Sequence, residues 1–388
     1  MPVAAVAGNE KRGTGKRRKT GMSNGMGVRG ASAAPPAPGK RRLVNPAAMC
    51  THHAGVFPCS GRRHLMRRIS LVTMAAKMAA TMAAIGLGAM LAGPARAADP
   101  AHCKSPRFSD IGWTDVTATT ALTGMLLKDL GYQPKITVLS VPVTYQSMKN
   151  KDIDIFLGNW MPSMEADRGP YLADKSVQVV TDNLDGAKYT MAVPTYTFDK
   201  GLHDFSDIHK FGDQLGWKIY GIEPGNDGNR HVLDLIKANT DDLGKFKLIE
   251  SSEQGMLAEV ERAYRADKPI VFLGWEPHPM NQQFKMSYLT GGDATFGPDY
   301  GGATVYTNVR AGYLQECPNV GKLLQNMKFT LPMEDAIMTS ITKSNEDPAR
   351  AGAAWLKANP AVLDTWLAGV TTIDGQPGLP AVKAKLGL

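Results

Sequence analysis

Three tryptophans share one local context. Trp113 ends Phe108-Ser109-Asp110-Ile111-Gly112-Trp113, and Trp160 falls in Ile153-Asp154-Ile155-Phe156-Leu157-Gly158-Asn159-Trp160-Met161-Pro162. Trp275 falls in Ile270-Val271-Phe272-Leu273-Gly274-Trp275-Glu276-Pro277. In each case an apolar run reaches Gly and then, at once or one residue on, Trp. Glycine lets the backbone turn sharply, and ligands of open α/β sheets bind beyond the carboxyl ends of the strands. Three post-strand indoles are therefore expected to face one binding space. Trp217, Trp355 and Trp366 lack this context and read as core residues. Indole faces attract cations at roughly 0.5–2 kcal/mol per ring. A quaternary ammonium suits such a cage, because it carries charge but no N–H in need of an acceptor.

Neighbouring residues extend this chemistry. Tyr189, in Ala187-Lys188-Tyr189-Thr190, offers a fourth wall. Asp115 offers a carboxylate two residues past Trp113, to balance a cation or accept a hydroxyl hydrogen bond. The loop Gly225-Asn226-Asp227-Gly228-Asn229 places backbone N–H groups and the Asn226 side chain where a polar ligand end could be held. A plain turn with a helix N-cap explains the same residues equally well. Catalysis is the contrasting class, since His278, Asp227 and Ser251-Ser252-Glu253 could supply acid, base and hydroxyl. No nucleophile elbow, metal quartet or GxxxxGK loop organises them. Glu253 reads better as a helix start and His278 as a loop residue. The sequence implies neither a metal nor a cofactor.

The elements that must position these groups alternate. Strands are expected over 107–111, 135–141, 153–157, 218–222, 246–251 and 269–274. Helices are expected over 114–130, 145–150, 228–238 and 253–266. A mostly helical tail follows over 319–369, broken near Pro332 and at Asp347-Pro348 and Asn359-Pro360. Such alternation implies α/β layers with mainly parallel sheets.

Of the 44 basic and 36 acidic residues, 16 and one fall in 1–97. That leaves 28 and 35 in 98–388, a net charge of −7, and a nucleic-acid role is excluded for this part. Residues 1–65 read as a disordered extension or as sequence upstream of a later start such as Met66. Residues 66–97 have the layout of a secretory signal: Arg67-Arg68, an apolar run to Leu91, then Ala95-Arg96-Ala97. Its apolar run is too short to span a membrane. The mature protein is expected to be exported and soluble, without membrane insertion. Cys103 and Cys317 would then be its only cysteines. In an exported chain they suggest one disulfide, with two unpaired buried thiols as the plain alternative.

The segments 110–115, 138–151, 154–162, 221–230, 250–257 and 271–280 resemble choline-binding members of the glycine betaine/choline substrate-binding family of bacterial ABC importers. The resemblance covers 103–388. It implies a two-lobed periplasmic binding protein fold of type II-like form, each lobe a mainly parallel sheet flanked by helices, with two crossovers at the hinge. The lobes would comprise 98–184, 185–300 and, back in the first lobe, 301–388. A Cys103–Cys317 bridge would tie the two parts of the first lobe together. By the same resemblance Trp113, Trp160, Tyr189 and Trp275 would box a trimethylammonium group, while Asp115 and Asn226 would bind the choline hydroxyl. Asp115 favours choline over glycine betaine, and acetylcholine is admissible if its bulk fits. The implied partners are a membrane permease and its ATPase, serving a monomeric periplasmic protein cleaved near Ala97.

Overall fold

A computed structural model describes residues 99–388; the expected extension 1–65 and signal segment 66–97 lie outside the described residues. Nine strands form one mixed sheet in the order β2-β1-β3-β9-β4-β7-β5-β6, with β8 paired to β4. They are β1 Arg107–Asp110, β2 Lys135–Val138, β3 Ile155–Met161, β4 Val177–Pro194, β5 Lys218–Tyr220, β6 Lys247–Ile249, β7 Phe272–Glu276, β8 Met286–Tyr288 and β9 Gly302–Arg310. β1 pairs in parallel with β2 and β3, and β5 pairs in parallel with β6 and β7. These two parallel groups stand at opposite ends of the sheet.

Two antiparallel strands join the groups. β4 first pairs with β9, from Val177↔Arg310 to Lys188↔Gly302, and then with β7 and β8. The sheet is thus parallel at both ends and antiparallel in the middle. The sequence reading found the parallel strands and missed β4, β8 and β9.

Two of the three tryptophans lie inside strands, which corrects the expectation of post-strand indoles. β3 continues through Gly158 to Met161, pairing Trp160 with Val305 of β9 after a register shift between Phe156 and Asn159. Gly158 is needed there because a Cβ would meet Val116. β7 likewise continues through Gly274 to Glu276. Only Gly112 makes the expected turn, at φ +80°, ahead of Trp113. Further along, β2 ends at Val138, and the next helix starts at Val141 rather than Tyr145, with Pro142 in its first turn.

Helix Thr114–Asp129 is buried along most of its length despite its threonines. The Thr119 and Thr123 hydroxyls bond back to the carbonyls of Asp115 and Thr119, which satisfies those two, whereas the buried Thr120 hydroxyl has no partner. Leu122 of this helix meets Gly352 of helix Pro348–Ala358, which brings the C-terminal helices against the first strand group. A Cys103–Cys317 disulfide, with Cα atoms 5.6 Å apart, joins the same regions. Trp366 is buried, whereas Trp217 and Trp355 are half-buried against the core. No helix among the described residues is long and apolar enough to cross a membrane.

Candidate functional site

Trp113, Trp160, Tyr189 and Trp275 line one cavity together with Ile222, enclosing about 230 Å³. The space between these walls is small. The four aromatic residues are only 3–5% exposed, so the walls themselves are almost wholly buried. Each wall comes from a different element. Trp113 caps helix Thr114–Asp129 after β1, and Trp160 is the last residue but one of β3. Tyr189 of β4 stands directly across from Trp275 of β7. Ile222 follows β5.

Tyr189 is the central wall. Its ring centroid lies 6.2 Å from that of Trp160 at 65° and 6.2 Å from that of Trp275 at 86°. Such edge-to-face contacts stabilise aromatic clusters by about 0.5–1.5 kcal/mol per pair. The polar tips of three rings are bonded to neighbours. Trp160 Nε1 donates to Asp115 Oδ2 at 3.1 Å, and Trp113 Nε1 to Glu223 Oε1 at 2.9 Å. The Tyr189 hydroxyl donates to Asn226 Oδ1 at 2.9 Å.

Acids therefore stand behind an aromatic lining that contains no Lys or Arg. Burial is the main cause that pushes Asp115 up to about 7, with the nearby Glu253 adding to it. Burial also raises Glu223 to about 7, against the opposing Trp113 hydrogen bond, and raises Asp227 to about 6. Asp115 Oδ1 is buried without a hydrogen-bond partner, although Oδ2 is engaged. A buried, unpaired carboxylate oxygen of this kind calls for a donor.

Asn226 stands apart from the five lining residues. Its Oδ1 accepts from Tyr189 and from the Asn229 N–H, which caps helix Asp227–Ala238, and its Nδ2 donates to Asp227. The N-cap reading of this loop holds. The candidate catalytic groups are engaged in structure as well. Ser252 caps helix Glu253–Arg265, and buried His278 bonds Glu253 and the Met280 N–H. None of them lines the cavity.

Sequence reasoning missed Ile222, Glu223 and the bonds that run between the strand groups. The Thr114 N–H and hydroxyl both donate to Glu253. Ser163 donates to Asp227, and Arg230 makes a two-bond ion pair with Asp167 at 2.9 and 2.7 Å. For Glu223 the one usable signal was its place just past a parallel strand, in the stretch that leads into the Gly-rich loop.

Comparison with known proteins bears on the same region. The family model described as the substrate binding domain of ABC-type glycine betaine transport system matches residues 107–358. An ABC-transporter choline binding protein solved in complex with choline is 61% identical, with a TM-score of 0.74, over 74% of this chain and 100% of its own. The unliganded semi-closed form of such a protein gives 61% identity and a TM-score of 0.69 over the same shares. Lactococcal OpuAC, closed on glycine betaine, is 27% identical, with a TM-score of 0.61, over 68% of this chain and 98% of its own.

Proposed function

Because the chain belongs to the family of substrate-binding domains of ABC-type glycine betaine transport systems, we propose that it captures choline and hands it to a membrane permease powered by an ATPase. The observation that carries this reading is the four-ring cavity backed by carboxylates, with no basic residue in its lining. A trimethylammonium group would lie against Trp113, Trp160, Tyr189 and Trp275, each ring contributing roughly 0.5–2 kcal/mol. The choline hydroxyl would donate to Asp115 Oδ1. Asn226 would hold Tyr189 through Oδ1, and the second N–H of its Nδ2, not used by Asp227, would be the donor available to the choline oxygen.

Two hinged lobes, 98–184 with 301–388 and 185–300, would close on the ligand about the joints in β4 and β9. The first supplies Trp113, Asp115 and Trp160, and the second supplies Tyr189, Asn226 and Trp275. A ligand that touches both lobes stabilises the closed form, which the permease would read. Export through a signal at 66–97 would place a monomer in the periplasm. Two other ligands are weighed against choline. Glycine betaine would turn its carboxylate toward Asp115, with no Arg or Lys in the lining to receive it. Acetylcholine would have to fit its acetyl group into the same small space. An enzyme acting on such a compound would need a reactive group at the cavity wall, and His278 and Ser251 are not there.

Isothermal titration with choline, glycine betaine and acetylcholine tests the assignment, with Trp113→Ala as control. Choline is expected to bind tightest and to be lost in the variant. Folded, ligand-stripped protein giving no heat with any of the three would sink it.

A further inference from the structure

Glu253 is not among the residues that line the cavity, yet it joins both strand groups. Its carboxyl group is buried and receives three donors. Oε2 accepts the Thr114 N–H at 2.8 Å, and Oε1 accepts the Thr114 hydroxyl and faces His278 Nε2 at 3.2 Å. His278 Nδ1 accepts the Met280 N–H at 3.0 Å, so the ring proton sits on Nε2 and is donated to Glu253. Thr114 is the first residue of the helix after β1. Glu253 opens the helix after β6, and His278 follows β7. The Glu253–His278 pair thus belongs entirely to the second strand group, and Thr114 belongs to the first.

We propose that Glu253 is a clasp: its bonds to Thr114 set the fraction of the protein that is closed, and so scale the affinity for every ligand of the cavity by one common factor. This rests on the hinged-lobe reading given above and assigns Glu253 a positioning role. A buried carboxylate is costly unless donors fill its lone pairs. His278 fills one site permanently. Thr114 fills two more only when the groups meet, and the positive end of helix Thr114–Asp129 adds to the attraction. Thr114 also lies between Trp113 and Asp115, so the clasp brings a ring and a carboxylate to the cavity together. Apparent affinity is the intrinsic affinity multiplied by the competent fraction, which makes the effect blind to ligand chemistry.

The test compares wild type with Glu253→Gln, Thr114→Val and Thr114→Ser. Each carries spin labels at Val143→Cys and Leu233→Cys, exposed positions on helices of the two groups. Label distances are measured on ligand-stripped protein, followed by titration with choline and with glycine betaine. Both Glu253→Gln and Thr114→Val are expected to lengthen the distances, and Thr114→Val, which leaves the charge near Asp115 in place, to weaken both ligands by the same factor, about tenfold for one charge-assisted bond. Thr114→Ser should restore both readouts. Unequal factors for the two ligands in Thr114→Val would overturn the proposal, and so would unchanged distances in that variant or failure of serine to rescue. If wild type binds neither ligand while the distances still shift as described, the clasp stands and the quaternary-ammonium reading falls.

Discussion

Trp113 and Glu223 are bonded to one another, indole Nε1 to carboxylate Oε1 at 2.9 Å, although one follows β1 and the other follows β5. The bond fixes the plane of a cavity wall by a residue of the opposite strand group. Removing its acceptor should let the indole rotate. Glu223→Ala is expected to weaken choline binding about tenfold, the worth of a hydrogen bond to a charged group. Glu223→Gln keeps an acceptor oxygen and should lose less. Titration of the two variants side by side checks this, and equal losses would show that charge rather than ring orientation matters at this position.

The acids behind the rings predict a pH dependence with a definite sign. Burial raises Asp115 and Glu223 to about 7 and Asp227 to about 6. Below those values the groups hold protons, and a bound cation favours their ionised forms, so choline must displace protons as pH falls. Choline affinity is expected to rise from pH 5.5 to pH 8, with log K climbing by up to about one per pH unit for each group still titrating. Glycine betaine, with no net charge, should show a flatter profile. Raised carboxylates also favour the folded state at low pH and lose that contribution as pH rises through their folded values. The choline-induced rise in Tm should therefore be larger at pH 8 than at pH 5.5. Parallel profiles for the two ligands would refute the argument.

What was legible in the sequence follows from what each residue can do alone. The four rings and Asp115 were readable because aromatic faces and a nearby carboxylate have one obvious joint use. The short parallel strands were readable from their apolar runs. β4 was not, because its buried Asn183 is satisfied by partners far along the chain. Buried Asn183 donates to the Leu157 carbonyl and to Thr307 of β9, and neither bond leaves a local pattern. Glu253 and His278 failed for the same reason. As a helix start and a loop residue they are ordinary, and what sets them apart is the bond between them and that of Glu253 to Thr114. Gly158 misled because a glycine before Trp marks a turn and a strand irregularity equally well.

The Cys103–Cys317 bridge spans 214 positions. Closing so long a loop in the unfolded chain should stabilise the fold by roughly 2–5 kcal/mol. The double variant Cys103→Ala, Cys317→Ala is expected to lose about 4–20 °C in Tm at the usual 2–4 °C per kcal/mol for larger domains. Both cysteines lie away from the cavity lining, so choline affinity at 25 °C should be unchanged. A clear drop in affinity would mean that the bridge also shapes the site.

On the choline reading, Asp115 would separate choline from its carboxylate-bearing relative. Its Oδ2 is held by Trp160 and its Oδ1 is free to accept. Asp115→Asn keeps the size and an acceptor for the indole but removes the charge and supplies an N–H donor. For choline this loses a charge-assisted hydrogen bond and the partner of the cation. The cost should be about 1.5–3 kcal/mol, or roughly ten- to a hundredfold in Kd. For glycine betaine the same change removes repulsion and adds a donor, so affinity should hold or improve. The ratio of the two Kd values before and after substitution is the decisive reading. A ratio that does not move would place the ligand's polar end elsewhere in the cleft and leave Asp115 as a support for Trp160 alone.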